Sequence, residues 1–322
     1  MKKKIIIISG DPNSINSELI YKCWKKLSKK IKRNIYIISN FDLLKKQFSK
    51  LGYSVKLSRV DNIDEEVSND NLKIINIDLD FNYAFNVPFK FSSKFVIKSL
   101  EKAHKLALRK DVMGIINCAI DKKLLSNKNY GVTEYLSKKC KVKNQSEVML
   151  IFNKNLSVAP VTTHVDIKKI SKILNKNLIY NKIKTIENFF KKSFKIKPNI
   201  GVMGLNPHNA ELRKNSEEVK IIIPIIKKLK RKKINVKGPL ISDTLFINEY
   251  KKYNVIVGMF HDQVLAPFKT LFKFDAINIT IGLKYLRVSP DHGTARKLIL
   301  KKIANPLSLF RCIKFILKFG KW

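Results

Sequence analysis

The first third of the chain alternates short apolar runs with longer stretches whose apolar positions recur at helical spacing. The runs have the length of buried β-strands and end at polar or turn-forming residues. They comprise residues 4–9, 34–39, 53–57, 74–77 and 113–118. Helical patterns lie between them, at residues 17–27, 43–51 and 95–108. Strands that alternate with helices are typical of an α/β fold with parallel strand pairing.

The middle of the chain departs from this alternation. Apolar runs at residues 148–152 and 156–161 flank the turn sequence Asn153-Lys154-Asn155, which predicts a hairpin and therefore antiparallel strands. Further helices are predicted at residues 167–174 and 183–194, then a strand at residues 200–204 and a helix at residues 216–232. A strand at residues 255–259 is followed by a stretch that ends at residues 278–282. Pro224 should kink the last of these helices. Apolar periodicity lapses near residues 137–145, where we expect a boundary between two domains.

The net charge changes this picture less than its size suggests. It is formally +40, and only eight of the 65 basic residues are arginine, so lysine supplies nearly all of it. A nucleic-acid-binding protein more often clusters arginine with exposed aromatic residues in a recognisable module. The lysines here are spread along the whole chain, so we expect no nucleic-acid partner. A basic surface would still help to gather an anionic substrate.

No stretch of the sequence predicts contact with a membrane or export. The apolar runs fall well short of the roughly 18 residues of a membrane span. The run at residues 5–8 ends before Gly10-Asp11-Pro12 and is too short for a signal peptide. The four cysteines are scattered and form no CxxC pair. These features favour a reduced, cytoplasmic setting with buried thiols.

Histidine is scarce, with five in the chain, and four of the five follow apolar runs in polar surroundings. The fifth, His104, falls on the polar side of the helix at residues 95–108 and is expected at the surface. In open α/β sheets, ligands gather beyond the carboxyl ends of the strands. Because neutral imidazole is the commonest protein ligand for metals, His164, His208 and His261 are predicted to hold a divalent ion. Their wide spacing leaves an alternative, in which each is an ordinary hydrogen-bonded turn residue.

Three more side chains are candidates for supporting or catalytic roles. Asp243 and Asp262 could be metal ligands or carboxylates that orient an imidazole, and a helix N-cap is the alternative for Asp243. His292 lies in a similar polar context. No GxGxxG sequence follows the first strand, so an ordinary Rossmann dinucleotide site is not expected, and no residue is assigned to a cofactor.

An anion-binding set is suggested towards the C-terminus by Lys269, Asn278 and Arg287. Arginine is rare in this chain, and its planar fork suits a phosphate better than a generic lysine does. The alternative for Arg287 is an ordinary surface arginine.

Several motifs together resemble the 4-hydroxythreonine-4-phosphate dehydrogenase family of pyridoxal phosphate biosynthesis. They run in the family's order along nearly the whole chain. The matching stretches are residues 9–12 (SGDP), 131–134 (GVTE), 161–164 (VTTH), 204–208 (GLNPH), 238–246 (GPLISDTLF), 260–263 (FHDQ), 278–283 (NITIGL) and 289–295 (SPDHGTA). The resemblance implies an α/β fold of two α/β/α domains, isocitrate-dehydrogenase-like, with a mixed sheet that includes some antiparallel strands. The first domain would comprise residues 1–138 plus 288–322, and the second, residues 139–287, would carry most of the metal and phosphate ligands.

The same resemblance implies a homodimer with active sites at the subunit interface. One divalent metal ion per site, zinc, magnesium or cobalt, would be bound by His164 and His208 of one subunit and by the partner subunit's His261. The side chains that would hold the substrate, the last three near its phosphate, are Thr133, Lys269, Asn278 and Arg287.

The implied reaction uses NAD or NADP to oxidise the C3 hydroxyl of 4-phosphohydroxy-L-threonine. The resulting β-keto acid loses carbon dioxide to give 3-amino-2-oxopropyl phosphate. Val132 replaces a substrate-binding histidine of the family. A paralogous dehydrogenase for a related four-carbon phosphorylated acid, phosphothreonate or phosphoerythronate, is therefore the alternative. A noncatalytic basic binding protein on this scaffold is a further alternative, against which the retained metal and phosphate positions argue.

Overall fold

The structure, a computed structural model, describes residues 3–65, 67–125 and 131–320. The chain divides into two compact units. Unit 1 comprises Met1–Leu136 and Lys284–Trp322, and unit 2 comprises Ser137–Leu283. In the part of the chain that the structure describes, no helix is both long and apolar enough to cross a membrane.

Unit 1 is built on six strands that all pair in parallel. Their spatial order is β3 (Leu57–Val60), β4 (Leu72–Asn76), β2 (Ile35–Ser39), β1 (Lys4–Ile8), β5 (Val112–Asn117) and β12 (Arg287–Pro290). In the centre, Ile5 of β1 lies opposite Ile35 of β2, and both strands are almost wholly buried. Continuous isoleucine-rich runs suit this position because both faces of a parallel sheet are covered.

The helices of unit 1 pack on this sheet and on one another. They are α1 (Asn16–Lys26), α2 (Lys29–Lys32), α3 (Phe41–Lys50), α4 (Phe89–Ala107), α11 (Leu307–Phe319) and α5 (Val132–Lys139), whose last residues belong to unit 2. α1 packs against α3 and α11, whereas α4 packs on β1, β2 and β5. Asn40 caps α3, because its side chain accepts a hydrogen bond from the backbone N–H of Leu43 at 2.9 Å.

Unit 2 contains the antiparallel strands. Its spatial order is β11 (Ile277–Ile281), β6 (Val148–Phe152), β7 (Ser157–Thr162), β10 (Val255–Phe260), β8 (Ile200–Met203) and β9 (Val236–Leu240). β6 runs antiparallel to both of its neighbours, and the other pairs are parallel. The predicted hairpin and the mixed α/β fold class are therefore confirmed.

The helices of unit 2 bury a continuous apolar core against this sheet. They are α6 (Ile170–Ile173), α7 (Lys176–Phe189), α8 (Ile223–Arg231), α9 (Ser242–Leu245) and α10 (His261–Phe272). α10 packs on β7 and β10, and α7 packs on β6, β7 and β11. The core includes Ile151, Val158, Ile256, Val264 and Phe268. Burial of this apolar face fixes α10, and with it the residues at its start.

Three predicted elements differ from the structure. The strand expected at residues 53–57 is wrong, because the N–H of Tyr53 donates to Phe48 O at 2.9 Å and closes the preceding helix. β3 pairs only from Leu57 onward. The helix expected at residues 167–174 divides into a 3₁₀ turn and the short α6. The helix expected at residues 216–232 begins as a π-helical segment, Glu218–Ile222, which runs directly into α8, and Pro224 lies just after the junction, where it interrupts the helical hydrogen bonds.

Two elements that were not predicted carry breaker residues. β9 contains Gly238-Pro239, a sequence that usually indicates a turn. The strand lies at the end of the strand order of unit 2, and an edge strand tolerates proline. α10 begins directly after β10 and contains Pro267. In both cases tertiary packing overrides the local signal.

Candidate active site

Four of the predicted site residues follow the carboxyl ends of neighbouring parallel strands in unit 2. In the strand order β7, β10, β8 and β9, these residues are His164, His261, His208 and Asp243. The carboxyl ends of parallel strands meet at one edge of a sheet, where α/β proteins collect their ligands. We call this the imidazole edge.

His164 and His261 lie side by side at this edge. Their ring centroids are 6.1 Å apart. Two imidazoles on one tetrahedral ion, with metal–nitrogen bonds of about 2 Å, have ring centroids about 5 Å apart. Thr162 donates its hydroxyl to Met259 O at 2.7 Å and so ties the end of β7 to β10. The two rings are therefore neighbours, about 1 Å farther apart than two ligands of a single tetrahedral ion.

Asp262 orients the imidazole of His261. Its Oδ1 is 2.6 Å from Nδ1 of His261. A carboxylate that accepts the Nδ1 proton leaves the lone pair of Nε2 for a ligand, and metal-binding histidines commonly have such a partner. Asp243 is exposed in the first turn of α9, whose N-cap is Ile241, so the N-cap alternative for Asp243 is wrong.

His208 begins an unusual backbone segment. His208, Asn209, Ala210 and Glu211 have φ angles of 47°, 56°, 52° and 45°, and Leu212 continues the run at 57°. Left-handed backbone costs roughly 1–2 kcal/mol for a residue with a side chain. No glycine relieves this cost here, so surrounding contacts must hold the segment.

Glu218 supplies such contacts from inside unit 2. It is fully buried, and its Oε1 accepts hydrogen bonds from the backbone N–H groups of Leu205 and Asn206, both at 2.8 Å. Burial, the largest influence, raises the pKa of Glu218, but the bonds from Asn206 and Leu205 outweigh it and leave the pKa below its usual value. Glu218 is therefore an ionised anchor for the segment that leads to His208.

The three histidines do not come together as a complete metal site within one chain. Among the described residues, no group of three or more His, Cys, Asp or Glu side chains is arranged to hold a metal ion. The structure brings His164 and His261 of one chain together and does not group His208 with them. The division of three ligands between two subunits stays a prediction.

Arg287 forms the centre of a second group, in unit 1. It is only 3% exposed, so the surface alternative is wrong. Its Nε donates to Asn117 Oδ1 at 2.5 Å, and Nη1 lies 3.5 Å from the Thr133 hydroxyl. Burial lowers the pKa of Arg287 to about 10, so the guanidinium stays charged at neutral pH. A buried, oriented guanidinium beside a hydroxyl is suited to an anionic ligand.

Lys269 and Asn278, the other members of the predicted anion set, lie in unit 2. Lys269 is exposed in the last turn of α10. Asn278 lies in β11, and its Oδ1 is buried with no hydrogen-bond partner within the described ranges. A buried polar atom without a partner is costly, so the amide of Asn278 is the kind of group that a bound ligand satisfies.

The two remaining histidines lie in unit 1. His292 Nδ1 is 2.9 Å from Gly293 O, and burial lowers its pKa, which keeps the ring neutral at pH 7. The prediction of a solvated His104 is wrong, since its Nδ1 is 2.9 Å from the hydroxyl of Tyr285 and the ring is half-buried.

Sequence reasoning missed three residues that support these groups. Asn117 accepts a hydrogen bond from Arg287, and Glu218 accepts bonds from the backbone before His208. Gln263 donates to Gly204, after β8, and to Ser242, after β9. Gln263 stands two positions after His261, which was a usable signal. Asn117 lies 170 residues from Arg287 along the chain, whereas Glu218 lies only 12 to 13 residues after the groups it holds, and both resemble ordinary polar residues of a strand and a helix.

The family model described as pyridoxal phosphate biosynthetic protein PdxA matches residues 30–316, which is most of the chain. The chain belongs to this family. The resemblance inferred from the motifs is therefore confirmed. Members with curated names are dehydrogenases, so the prediction of an enzyme of the oxidoreductase class is confirmed at the level of the family.

Individual relatives are similar over more than two thirds of the chain. The chain is 35% identical to a 4-hydroxythreonine-4-phosphate dehydrogenase of Sulfurihydrogenibium, over 97% of this chain and 96% of that protein. It is 32% identical to a D-threonate 4-phosphate dehydrogenase of Pectobacterium atrosepticum, over 69% of each. The crystal structure of 4-hydroxythreonine-4-phosphate dehydrogenase from Klebsiella pneumoniae has a TM-score of 0.84 and 26% identity, covering 100% of this chain and 99% of that one.

A more distant likeness concerns the fold alone. Isocitrate dehydrogenase from Methylococcus capsulatus superposes with a TM-score of 0.50 at 10% identity, covering 98% of this chain and 85% of that one. The predicted isocitrate-dehydrogenase-like fold is confirmed.

Proposed function

We propose that this protein is a metal-dependent, NAD(P)-linked dehydrogenase that oxidises 4-phosphohydroxy-L-threonine at its C3 hydroxyl. Loss of carbon dioxide from the product then gives 3-amino-2-oxopropyl phosphate, in pyridoxal phosphate biosynthesis. The observation that carries this proposal is that His164, His208 and His261 all follow the carboxyl ends of neighbouring strands in a chain of this family.

His164, His208 and His261 would hold one divalent ion, zinc, magnesium or cobalt. When bound, such an ion acts as a Lewis acid that stabilises negative charge developing on a substrate oxygen. The imidazoles must be neutral to bind it. The contact between Asp262 and Nδ1 of His261 supports this role, because it directs Nε2 of the same ring towards a ligand.

The substrate phosphate would be bound by Lys269, Asn278 and Arg287, with Thr133 as a further substrate contact. Support comes from the buried charge of Arg287, whose plane is fixed by Asn117. A clamped phosphate holds the C3 carbon in place against the nicotinamide of NAD or NADP, which accepts the hydride.

The proposal includes a homodimer in a reducing, cytoplasmic setting. The four cysteines are all buried, which supports a reducing compartment. The ligand division implied by the family supports a dimer whose subunits share their sites.

One observation favours a second candidate, the oxidation of a phosphorylated four-carbon acid such as D-threonate 4-phosphate. Val132, where a substrate-binding histidine was expected, starts α5 immediately before Thr133. D-threonate 4-phosphate carries a hydroxyl where 4-phosphohydroxy-L-threonine carries an amino group. A change from imidazole to an apolar side chain beside a substrate-contacting threonine is the kind of change that alters this preference.

A direct assay tests both candidates. Chelator-treated protein is supplied with each substrate, with NAD or NADP, and with or without zinc, magnesium or cobalt. We expect reduced cofactor only when a metal is present, with the higher kcat/KM for 4-phosphohydroxy-L-threonine. A higher kcat/KM for D-threonate 4-phosphate would replace the first candidate with the second. No turnover of either substrate with any metal would reject both.

A further inference from the structure

Gln263 uses the full hydrogen-bonding capacity of its side-chain amide. Its Oε1 accepts the backbone N–H of Met259 at 2.6 Å. Its Nε2 donates to Gly204 O at 2.7 Å and to the Ser242 hydroxyl at 3.0 Å. An amide has two donor hydrogens and one acceptor oxygen, so each group has a partner. The three partners belong to three different segments of unit 2.

These segments are the ones that carry the candidate ligands. Met259 lies in β10, which ends just before His261. Gly204 follows β8 and leads through residues 205–207 to His208. Ser242 follows β9 and precedes Asp243. One side chain therefore ties together three of the four strand ends that form the imidazole edge.

The surrounding backbone leaves room for this amide. A Cβ atom at Gly258 would lie 2.9 Å from Gln263 Oε1 and 2.6 Å from Val264 Cγ1. Both distances are too short for a side chain, so any larger residue at Gly258 would push the first turn of α10 away from β10. A Cβ atom at Gly204 would in turn overlap the side chain of Asn209. Glycine at these two positions permits the close packing on which the tether depends.

The segment between Gly204 and His208 is held from its other side as well. Glu218 accepts hydrogen bonds from the backbone N–H groups of Leu205 and Asn206. Gln263 donates a hydrogen bond to the carbonyl oxygen of Gly204. Oε2 of Glu218 also accepts the side-chain amide of Asn206 at 3.0 Å. The backbone before His208 is thus bound at consecutive positions by two side chains, one from α10 and one from the π-helical segment.

We propose that Gln263 is a positioning residue that holds the segment leading to His208 against the first turn of α10 and so sets the place of His208 at the imidazole edge. The inference rests on the proposed metal-assisted function. Without the two donor bonds of Gln263, the backbone at Gly204 that leads into the left-handed segment loses its attachment to α10, and the segment samples other conformations. Partners that orient metal ligands typically contribute about 10- to 100-fold in metal affinity or activity. We expect a loss of that size when the donors of Gln263 are removed.

Two variants test the hydrogen bonds that Gln263 donates, and they differ in the charge and the acceptor that they leave at this position. Gln263→Glu keeps the size and the oxygen that accepts Met259 N–H, but it has no donor at neutral pH and adds a negative charge. Gln263→Met is neutral, of similar length, and has no strong donor or acceptor. The matched controls are Gln145→Glu and Gln145→Met, since Gln145 is an exposed glutamine of unit 2.

The measurements are zinc affinity by competition with a chelator, and amide hydrogen exchange of residues 205–212 in metal-free protein. Both Gln263 variants should bind zinc about 10- to 100-fold more weakly than wild type, and exchange in residues 205–212 should accelerate. Added zinc should restore much of the turnover, with KM for the phosphorylated substrate little changed. The Gln145 variants should behave as wild type in every measurement.

The outcomes distinguish this inference from the function on which it rests. If wild type binds zinc and both Gln263 variants match it in affinity and exchange, the positioning role is wrong. A loss of turnover that added zinc does not relieve, with unchanged exchange, would also overturn it. If wild type itself binds no divalent metal, the proposed function fails, and the exchange of residues 205–212 still decides whether Gln263 tethers the segment. Gln263→Glu is the milder variant if Gln263→Met does not fold.

Discussion

The two candidate binding groups of this chain hold their side chains in opposite ways. In unit 1, Arg287 is 3% exposed within β12 and is hydrogen-bonded to Asn117 of the neighbouring β5. In unit 2, His164 and His208 are exposed and lie beyond their strands. A buried guanidinium cannot shed its charge and must be compensated by dipoles or an anion, whereas an exposed imidazole is stable without a ligand. The arginine is thus placed by the sheet itself, and the histidines depend on contacts that hold their loops.

The largest effect is expected at the imidazole edge. His208→Ala should abolish metal-dependent turnover and leave the fold intact. The loss should be well above the roughly 10- to 100-fold that residues hydrogen-bonded to a metal ligand contribute. Metal content and kcat/KM are the measurements. His104→Ala, which removes a histidine of unit 1, is the control and should keep its metal. A His208→Ala protein with wild-type metal content and turnover would remove His208 from the site.

The next largest effect is expected from a substitution of Arg287. Arg287→Lys keeps a positive charge but loses the planar fork, and a charge-assisted hydrogen bond is worth about 1.5–3 kcal/mol. We expect kcat/KM for the phosphorylated substrate to fall roughly 10- to 150-fold. For 4-hydroxy-L-threonine, which has no phosphate, the effect should be much smaller.

The net charge of +40 suggests an alternative explanation of substrate binding, which predicts a different result for the same variant. If diffuse lysine charge recruits the substrate, Arg287→Lys should change little, and added salt should weaken variant and wild type alike. Arg231→Lys, at an exposed position of α8, is the control. An equal loss with both substrates would show that Arg287 does not bind the phosphate.

A third experiment asks whether His164 and His261 of one chain, 6.1 Å apart, act in one site or in two. If subunits share ligands as the family implies, a mixture of His164→Ala and His261→Ala proteins forms mixed dimers with one intact site. Random exchange makes half the dimers mixed, so up to about a quarter of wild-type activity should return. No return of activity, once exchange is demonstrated by native mass spectrometry, would assign both histidines to a site within one chain.

The sequence was informative where a residue's position follows from a buried strand. Apolar runs predicted β7, β8 and β10, and each predicted strand brought a histidine to its carboxyl end. It was uninformative about burial of polar side chains. Arg287 read equally well as a surface residue, because its burial depends on the pairing of β12 with β5 across most of the chain. No local periodicity encodes that pairing.

The hydrogen bonds of the site were the least predictable part. Glu218 looks like any helical glutamate, and its role arises from two backbone N–H groups contributed by a different segment. Gln263 stood beside His261 in the sequence, yet its partners Gly204 and Ser242 are distant along the chain. Such bonds depend on tertiary geometry and leave no compositional trace, so they had to be found in the structure.

A smaller effect is expected from Glu218 and should depend on pH. Its pKa is lower in the folded protein than its usual value of 4.5, so its contribution to stability is complete above that value and is lost as pH falls through the folded pKa. Glu218→Gln should therefore lower Tm at pH 7, and its difference from wild type should shrink as pH falls below about 4.5. The control is Glu211→Gln, at an exposed position of the left-handed segment. A difference that stays constant with pH would mean that the Glu218 charge does not anchor the segment.

The smallest effect concerns the left-handed segment itself. Leu212 is 56% exposed with a φ of 57°, so its side chain contributes strain and little burial. Leu212→Gly removes a strain of roughly 1–2 kcal/mol, offset by up to about 1 kcal/mol of glycine entropy. We expect the free energy of unfolding to rise by about 0.5–1 kcal/mol. Leu108→Gly, at an exposed leucine with a φ of −79°, should instead destabilise the protein by about 1 kcal/mol. Denaturant unfolding of both variants decides the matter. If both lose stability equally, the segment after His208 is not strained, and the imidazole edge would be as firmly placed by its backbone as Arg287 is by its sheet.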